Sequence, residues 1–184
     1  MVGVNLIERI ATGYYNFMSG KSSLRYRMYL SLDKLLVHKL SFLNNNNENI
    51  YTRFIDYSSE RDRLTKEIIH SDIFDVNYDC HKFIEKMSKS SEARNGYGLF
   101  FVKSDDEGNE EIIGSCDFLN YNGLFILGNF GLIHNYRSNG YSPICLYNAL
   151  SVLVDKNIDK VFLFVMKNNF IAKHLYECFG FETF

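Results

Sequence analysis

The chain has 184 residues, 46% of them hydrophobic, with a single proline, 16 phenylalanines, 13 tyrosines and no tryptophan. That composition belongs to a core-forming globular chain of about one domain and excludes a disordered or low-complexity one. The net charge of −2 gives no whole-chain argument for nucleic acid or an anionic membrane, and no stretch is apolar for long enough to cross a bilayer. The first residues also lack the basic-then-apolar pattern of a leader.

Charge is unevenly spread. Residues 1–43 carry Arg9, Lys21, Arg25, Arg27, Lys34 and Lys39 against Glu8 and Asp33, a surplus of four positive charges, so the remainder carries about −6. The four cysteines, Cys80, Cys116, Cys145 and Cys178, form no Cys-x-x-Cys pair and lie away from spaced histidines. No metal site is expected from them. Scattered through apolar stretches, they read as buried, reduced thiols of a cytoplasmic protein.

In chain order, "VNLIERIATGYYNFM" and "SSLRYRMYLSLDKLLVHKLSFL" predict two helices parted at Ser19-Gly20. The second sets Leu24, Met28, Leu32, Leu35, Leu36 and Leu40 on one stripe. This predicts a helical N-terminal extension over 1–43, an Asn-rich linker "NNNNEN" over 44–49, and a main domain over 50–184. "IYTRFIDY" reads as a strand. "SSERDRLTKEIIHSDIF" reads as a Ser-capped helix, and "NYDCHKFIEKMSKS" as another. "YGLFFVK" and "EIIGSCDFL" are strands around an acidic loop, followed by the strand "LFILGNFGLI", in which Gly128 and Gly131 predict a bulge or a close backbone approach. A helix ends near Asp155, "KVFLFVM" is a strand buried on both faces, "NNFIAKHLYECFG" a helix ended by Gly180, and "FETF" closes the chain. After the helical preface the order β-α-α-β-β-β-α-β-α-β predicts an α+β domain with a mixed sheet.

The only proline, Pro143, stands in "HNYRSNGYSPICLYNAL". Ser142 suits an N-cap and Pro143 the first helical position. Ile144, Tyr147, Leu150 and Val154 give the helix its apolar stripe. Gly140, just before, can take backbone angles that turn successive amides inward, toward the positive end of the helix dipole. The stretch reads either as a plain helix cap or as a cradle for a phosphate or pyrophosphate.

Arg137-Ser-Asn-Gly140-Tyr-Ser142, after a strand and opening a helix, resembles motif A of the GNAT superfamily, the acyl-CoA-dependent N-acyltransferases. Asn169-Phe-Ile-Ala172-Lys-His-Leu-Tyr176-Glu-Cys-Phe-Gly180-Phe181 resembles the second half of that signature. The resemblance covers about residues 50–184. It implies a mixed, mostly antiparallel central sheet flanked by helices, and acetyl-CoA as co-substrate without a metal. It places the pyrophosphate on Arg137, Ser138, Asn139, Gly140, Tyr141 and Ser142. The pantetheine arm would run along Leu132, Ile133 and His134, in a splay between this strand and "KVFLFVM". Asn169 would bond the arm or cap its helix, Ala172 would let the arm lie close, and Tyr176 would give a proton to the departing thiolate.

The general base is open. The strand before motif A has no carboxylate, which leaves His134, Asp117, or a water chain with no dedicated base. A seventh strand, usual after Gly-Phe in this family, is not evident. Either the helical preface fills that edge, or the seventh strand is absent, or the sequence is a shortened one; an exposed edge would favour pairing with a second chain as a homodimer.

The implied activity is an N-acetyltransferase acting on a primary amine. "EEIIGSCDF" leans toward protein N-termini, with aminoglycosides, polyamines and other small amines open. The alternative is an acyl-CoA-binding sensor or interaction module without turnover. A nucleotide-binding loop is disfavoured, because neither GxxxxGK[ST] nor GxGxxG occurs.

Overall fold

The computed structural model describes residues 25–33, 49–74, 80–88, 96–121 and 123–184. Seven strands form one sheet: β1 (Arg25–Ser31), β2 (Ile50–Phe54), β3 (Gly96–Ser104), β4 (Glu110–Tyr121), β5 (Leu124–Leu132), β6 (Lys160–Met166) and β7 (Glu182–Thr183). Their spatial order is β2-β3-β4-β5-β6-β1-β7. Every pairing is antiparallel except β5 with β6. The helices are α1 (Glu60–Ile73), α2 (Cys80–Ser88), α3 (Tyr141–Asp155) and α4 (Phe170–Cys178). From β2 onward this is the order expected from the sequence, and the fold is α+β with a mixed, mostly antiparallel sheet.

The core explains why these runs become strands and helices. Leu146, Ala149, Leu150 and Leu153 of α3 pack with Leu99 and Phe101 of β3, Phe118 of β4, Leu127 of β5 and Leu163 of β6, all buried. Residues of the opposite parity, Phe100, Val102, Leu119, Ile126 and Phe162, join a smaller cluster with Ile84 and Met87 of α2. The central strands are therefore apolar on both faces, as a sheet covered on both sides requires.

The N-terminal prediction fails at residues 25–31. "RYRMYLS" is a strand, not part of a helix. Met28, Leu30 and Leu32 are buried and Ser31 is exposed, so the leucines and methionine read as a helical stripe also satisfy a period of two. Tertiary context decides between the periods. β6 offers an edge, and β1 takes it from Arg25↔Met166 to Ser31↔Lys160. β7 then adds to the outer side of β1 at Met28↔Thr183 and Tyr29↔Glu182. The edge beyond β6 is thus filled from the N-terminal side, the first of the arrangements considered, but by a strand. Two-residue β7 lies outside it and covers β1 at Met28 and Tyr29. β1 belongs to the same sheet as the strands of residues 50–184. The helix predicted over "VNLIERIATGYYNFM", the rest of the second helix beyond Asp33, and linker residues 44–48 lie outside the described residues.

Cys80, Cys116 and Cys145 are buried and Cys178 is exposed, against the expectation of four buried thiols; none is in a disulfide. Among the described residues no helix is long and apolar enough to cross a membrane.

Met28 is 0% exposed in the middle of β1. Met28→Ala should lower the unfolding free energy by about 2–5 kcal/mol, read from the urea midpoint. Removing residues 1–43 strips β1 from between β6 and β7 and should leave the remaining chain insoluble or unfolded by circular dichroism.

Candidate functional site

β5 and β6 run side by side for only three residue pairs, Phe125↔Val161, Ile126↔Phe162 and Leu127↔Leu163. Beyond Leu127 they part, although β5 continues to Leu132 and β6 to Met166. The cause lies on the other side of β5. Between the partners Ser115↔Gly131 and Asp117↔Gly128, β4 advances two residues while β5 advances three. The extra residue is a bulge, and Asn129 there takes a left-handed φ of 49°. A bulge bends its strand and sharpens its twist, which turns β5 away from β6. Main-chain groups of β5 that would otherwise pair with β6 face the gap.

The gap leads to the turn before α3. Residues His134–Tyr136 form a 3-10 turn, Ser138 has φ 63°, and Gly140, at φ 77°, is the N-cap of α3. Ser142 is therefore not the N-cap, and Pro143 is the third helical residue, not the first. Gly140 closes the turn in a left-handed conformation, so the helix starts two residues sooner. Pro143 still lies in the first turn, where a missing N–H costs nothing. Among the described residues nothing accepts from the amides of Ser138, Asn139, Gly140, Tyr141 or Ser142. No acidic residue occupies the first turn of α3, and a Cβ on Gly140 would meet nothing within 4 Å. Unpaired amides, an open face and a helix dipole suit an anion.

The other predicted residues fall into two groups. Tyr176 is 7% exposed, and its ring centroid lies 6.3 Å from that of Phe130, the residue after Asn129, and 5.6 Å from that of Phe181. α4 thus lays Tyr176 beside the bulge. Asn169 caps α4, its Oδ1 accepting from the Ala172 amide at 3.1 Å, the second of the roles considered for it; Ala172 is half-buried. Arg137 turns away from the cradle. Its Nε donates to the Leu132 carbonyl (2.9 Å) and its terminal nitrogen to the carbonyls of Asp72 (3.0 Å) and Ile73 (3.2 Å) at the end of α1. The Ile133 amide donates to the Ile113 carbonyl and the His134 amide to Asp72 Oδ1. The main chain at Leu132–His134 is therefore largely engaged, and the open border of the gap is residues 128–131. The His134 side chain is exposed.

Asp117 is wholly buried. Lys66 Nζ lies 3.1 Å from its Oδ2, Asn129 Nδ2 donates to Oδ2 at 2.8 Å, and the Tyr57 hydroxyl donates to Oδ1 at 2.9 Å. A cation and two further donors thus occupy both oxygens of this carboxylate. Lys66 also donates to Ser115 Oγ at 3.0 Å. Gly98 makes the arrangement fit: a Cβ there would stand 2.2 Å from the Tyr57 hydroxyl. Lys66, Tyr57, Asn129 and His70 were missed from sequence. A signal was present, because Asp62, Lys66 and His70 recur every four residues and share one face of α1. His70 is 2% exposed, and burial, then the Lys66 charge, push its pKa down to about 4.

The model of the acetyltransferase (GNAT) family matches residues 63–181. The chain belongs to the GNAT family. Among solved structures it resembles a GCN5-related N-acetyltransferase from Sphaerobacter thermophilus (TM-score 0.61, 19% identity, 87% of this chain and 48% of that one). It also resembles one from Kribbella flavida (0.54, 10%, 88% and 55%). A third is the glucosamine N-acetyltransferase region of a fungal multi-domain β-N-acetylglucosaminidase (0.60, 14%, 96% and 22%). At these identities the likeness is one of fold, and this GNAT chain spans 60% or less of the length of each. No curated protein matches it.

Arg137→Ala removes the donor from three carbonyls that are exposed or part-buried and should destabilise the protein by about 0.5–1.5 kcal/mol, read from the urea midpoint. The unfolded chain protonates His70 near its ordinary 6.5 while the folded one refuses the proton until about 4. Stability should therefore fall as pH drops through that window, and His70→Gln should flatten the fall in pH-dependent thermal unfolding.

Proposed function

We propose that this GNAT chain is an N-acetyltransferase that moves an acetyl group from acetyl-CoA to a primary amine, on a small molecule or a protein N-terminus. The observation that carries the reading is the gap between β5 and β6, which leads into the unpaired amides of Ser138–Ser142 and has Tyr176 at its bulge. The amides and the α3 dipole bind the coenzyme pyrophosphate. Residues 128–131 of β5 border the pantetheine arm, and Asn169 and Ala172 flank it.

A neutral amine attacks the thioester carbonyl carbon. The C–N bond forms, the C–S bond breaks, and the sulfur takes the Tyr176 hydroxyl proton as it departs. Tyr176 regains a proton from solvent. The proton lost by the amine passes to water or to exposed His134, since β5 has no carboxylate and Asp117 is held by Lys66. The surplus negative charge of residues 44–184 suits a cationic acceptor. The reduced thiols fit a cytoplasmic protein.

One observation favours an acyl-CoA-binding module without turnover: no carboxylate free to act as base lies on β5 or at Asp117. Amine-dependent release of free thiol from acetyl-CoA decides between the readings. Binding without release across an amine panel supports the module, and saturable release supports the enzyme.

Gly140→Asp puts a side chain and a negative charge into the cradle and should abolish acetyl-CoA binding in calorimetry. Unchanged affinity would remove the cradle from the coenzyme site. Tyr176→Phe should lower turnover by roughly a hundredfold or more with coenzyme affinity little changed. Wild-type turnover in that variant would leave Tyr176 a packing residue.

A further inference from the structure

α1 is inside out. Asp62, Lys66, Ile69 and His70 are its buried residues, while Leu64 is 53% and Ile68 68% exposed. The buried polar stripe crosses the sheet strand by strand. Asp62 takes a bidentate contact from Arg53 of β2 at 2.8 and 3.1 Å. Lys66 meets Asp117 and Ser115 of β4. His70 interacts with Asn129 of β5, and Ile73 fills the space over Gly131, where a Cβ would stand 2.3 Å from it. The stripe thus converges on the bulge that starts the gap.

A buried ion pair is a poor way to gain stability, because apolar side chains of similar volume in its place are often as stable or more so. What apolar side chains cannot do is accept the Asn129 amide. Asn129 holds a left-handed conformation, and such a residue persists where its surroundings over-determine it. Here Asp117 accepts from its Nδ2 and Lys66 neutralises Asp117.

We propose that the buried Lys66–Asp117 pair is a positioning device for acyl transfer: through Asn129 it sets the bulge that keeps β5 and β6 apart beside Tyr176. Lys66, Asp117, Tyr57 and Asn129 are positioning residues, and the functional half of the proposal rests on the acetyltransferase reading above. The double variant Lys66→Met with Asp117→Leu removes both charges and leaves no lone buried ion. It should stay folded by circular dichroism, with a melting temperature a few degrees below that of the wild type because the Tyr57 hydroxyl and the Asn129 amide lose their acceptor. Asn129→Gly keeps the left-handed backbone at no steric cost and cuts the link alone.

In both variants kcat with a saturating amine should fall tenfold or more, while the dissociation constant of acetyl-CoA, held by the untouched cradle amides as well as by residues 128–131, should rise by a clearly smaller factor. Amide exchange at residues 128–131 should quicken in both, with the amides of α3 and β6 unchanged. Folded variants with wild-type kcat and wild-type exchange at 128–131 would overturn the proposal. So would a loss of coenzyme affinity equal to the loss of kcat, which would mark general damage to the site. If the wild-type protein neither binds acetyl-CoA nor releases its thiol, the acetyltransferase reading falls, while exchange at 128–131 still decides whether the pair holds the bulge.

Discussion

The parting of β5 from β6 after Leu127 is the constraint on which the rest of this molecule turns. A parallel pair that stayed together to Met166 would leave no main-chain groups for a ligand. One extra residue in β5 prevents this. The bend it introduces leads the chain from the gap into the turn before α3, where five successive residues present amides without acceptors among the described residues. The same bend puts Phe130 against Tyr176, so the seat of Tyr176 and the course of the turn before α3 both follow from a single irregularity of the backbone.

Around that irregularity the protein spends polar groups where a core normally holds none. Taking an ammonium and a carboxylate out of water costs several kcal/mol per ion before their attraction is counted. Lys66 and Asp117 offset this with Ser115, Tyr57 and Asn129, which satisfy the remaining donors and lone pairs. The close approaches that make room are glycines, Gly98 under Tyr57 and Gly131 under Ile73. The result ties α1 to the sheet by geometry and charge, while its Leu64 and Ile68 face outward.

The second feature of the fold is the seating of β1. It joins the two ends of the chain, for β7, the last strand, pairs only with the strand that comes first among the described residues. Such pairing closes a very long loop, an entropic cost recovered only once β6 is in place. The strand position beyond β6 is thereby filled from the opposite end of the sequence to the one where the motif would seek it.

What the sequence determined by itself was local or periodic: the order of elements from Ile50 on, the Gly-rich turn into α3, the placement of Tyr176 one helical turn after Ala172, and the resemblance to the GNAT signature. Each rests on spacing within a dozen or so residues, where backbone preference and side-chain period act directly. The tertiary structure alone decided the rest. Met28, Leu30 and Leu32 fit a helix or a strand equally well until β6 supplies an edge to pair with. Gly140 displaces Ser142 as the cap because it takes the left-handed conformation that closes the turn leading from β5. Lys66 and Asp117 stand 51 positions apart, and their partnership depends on burial, which no local pattern encodes.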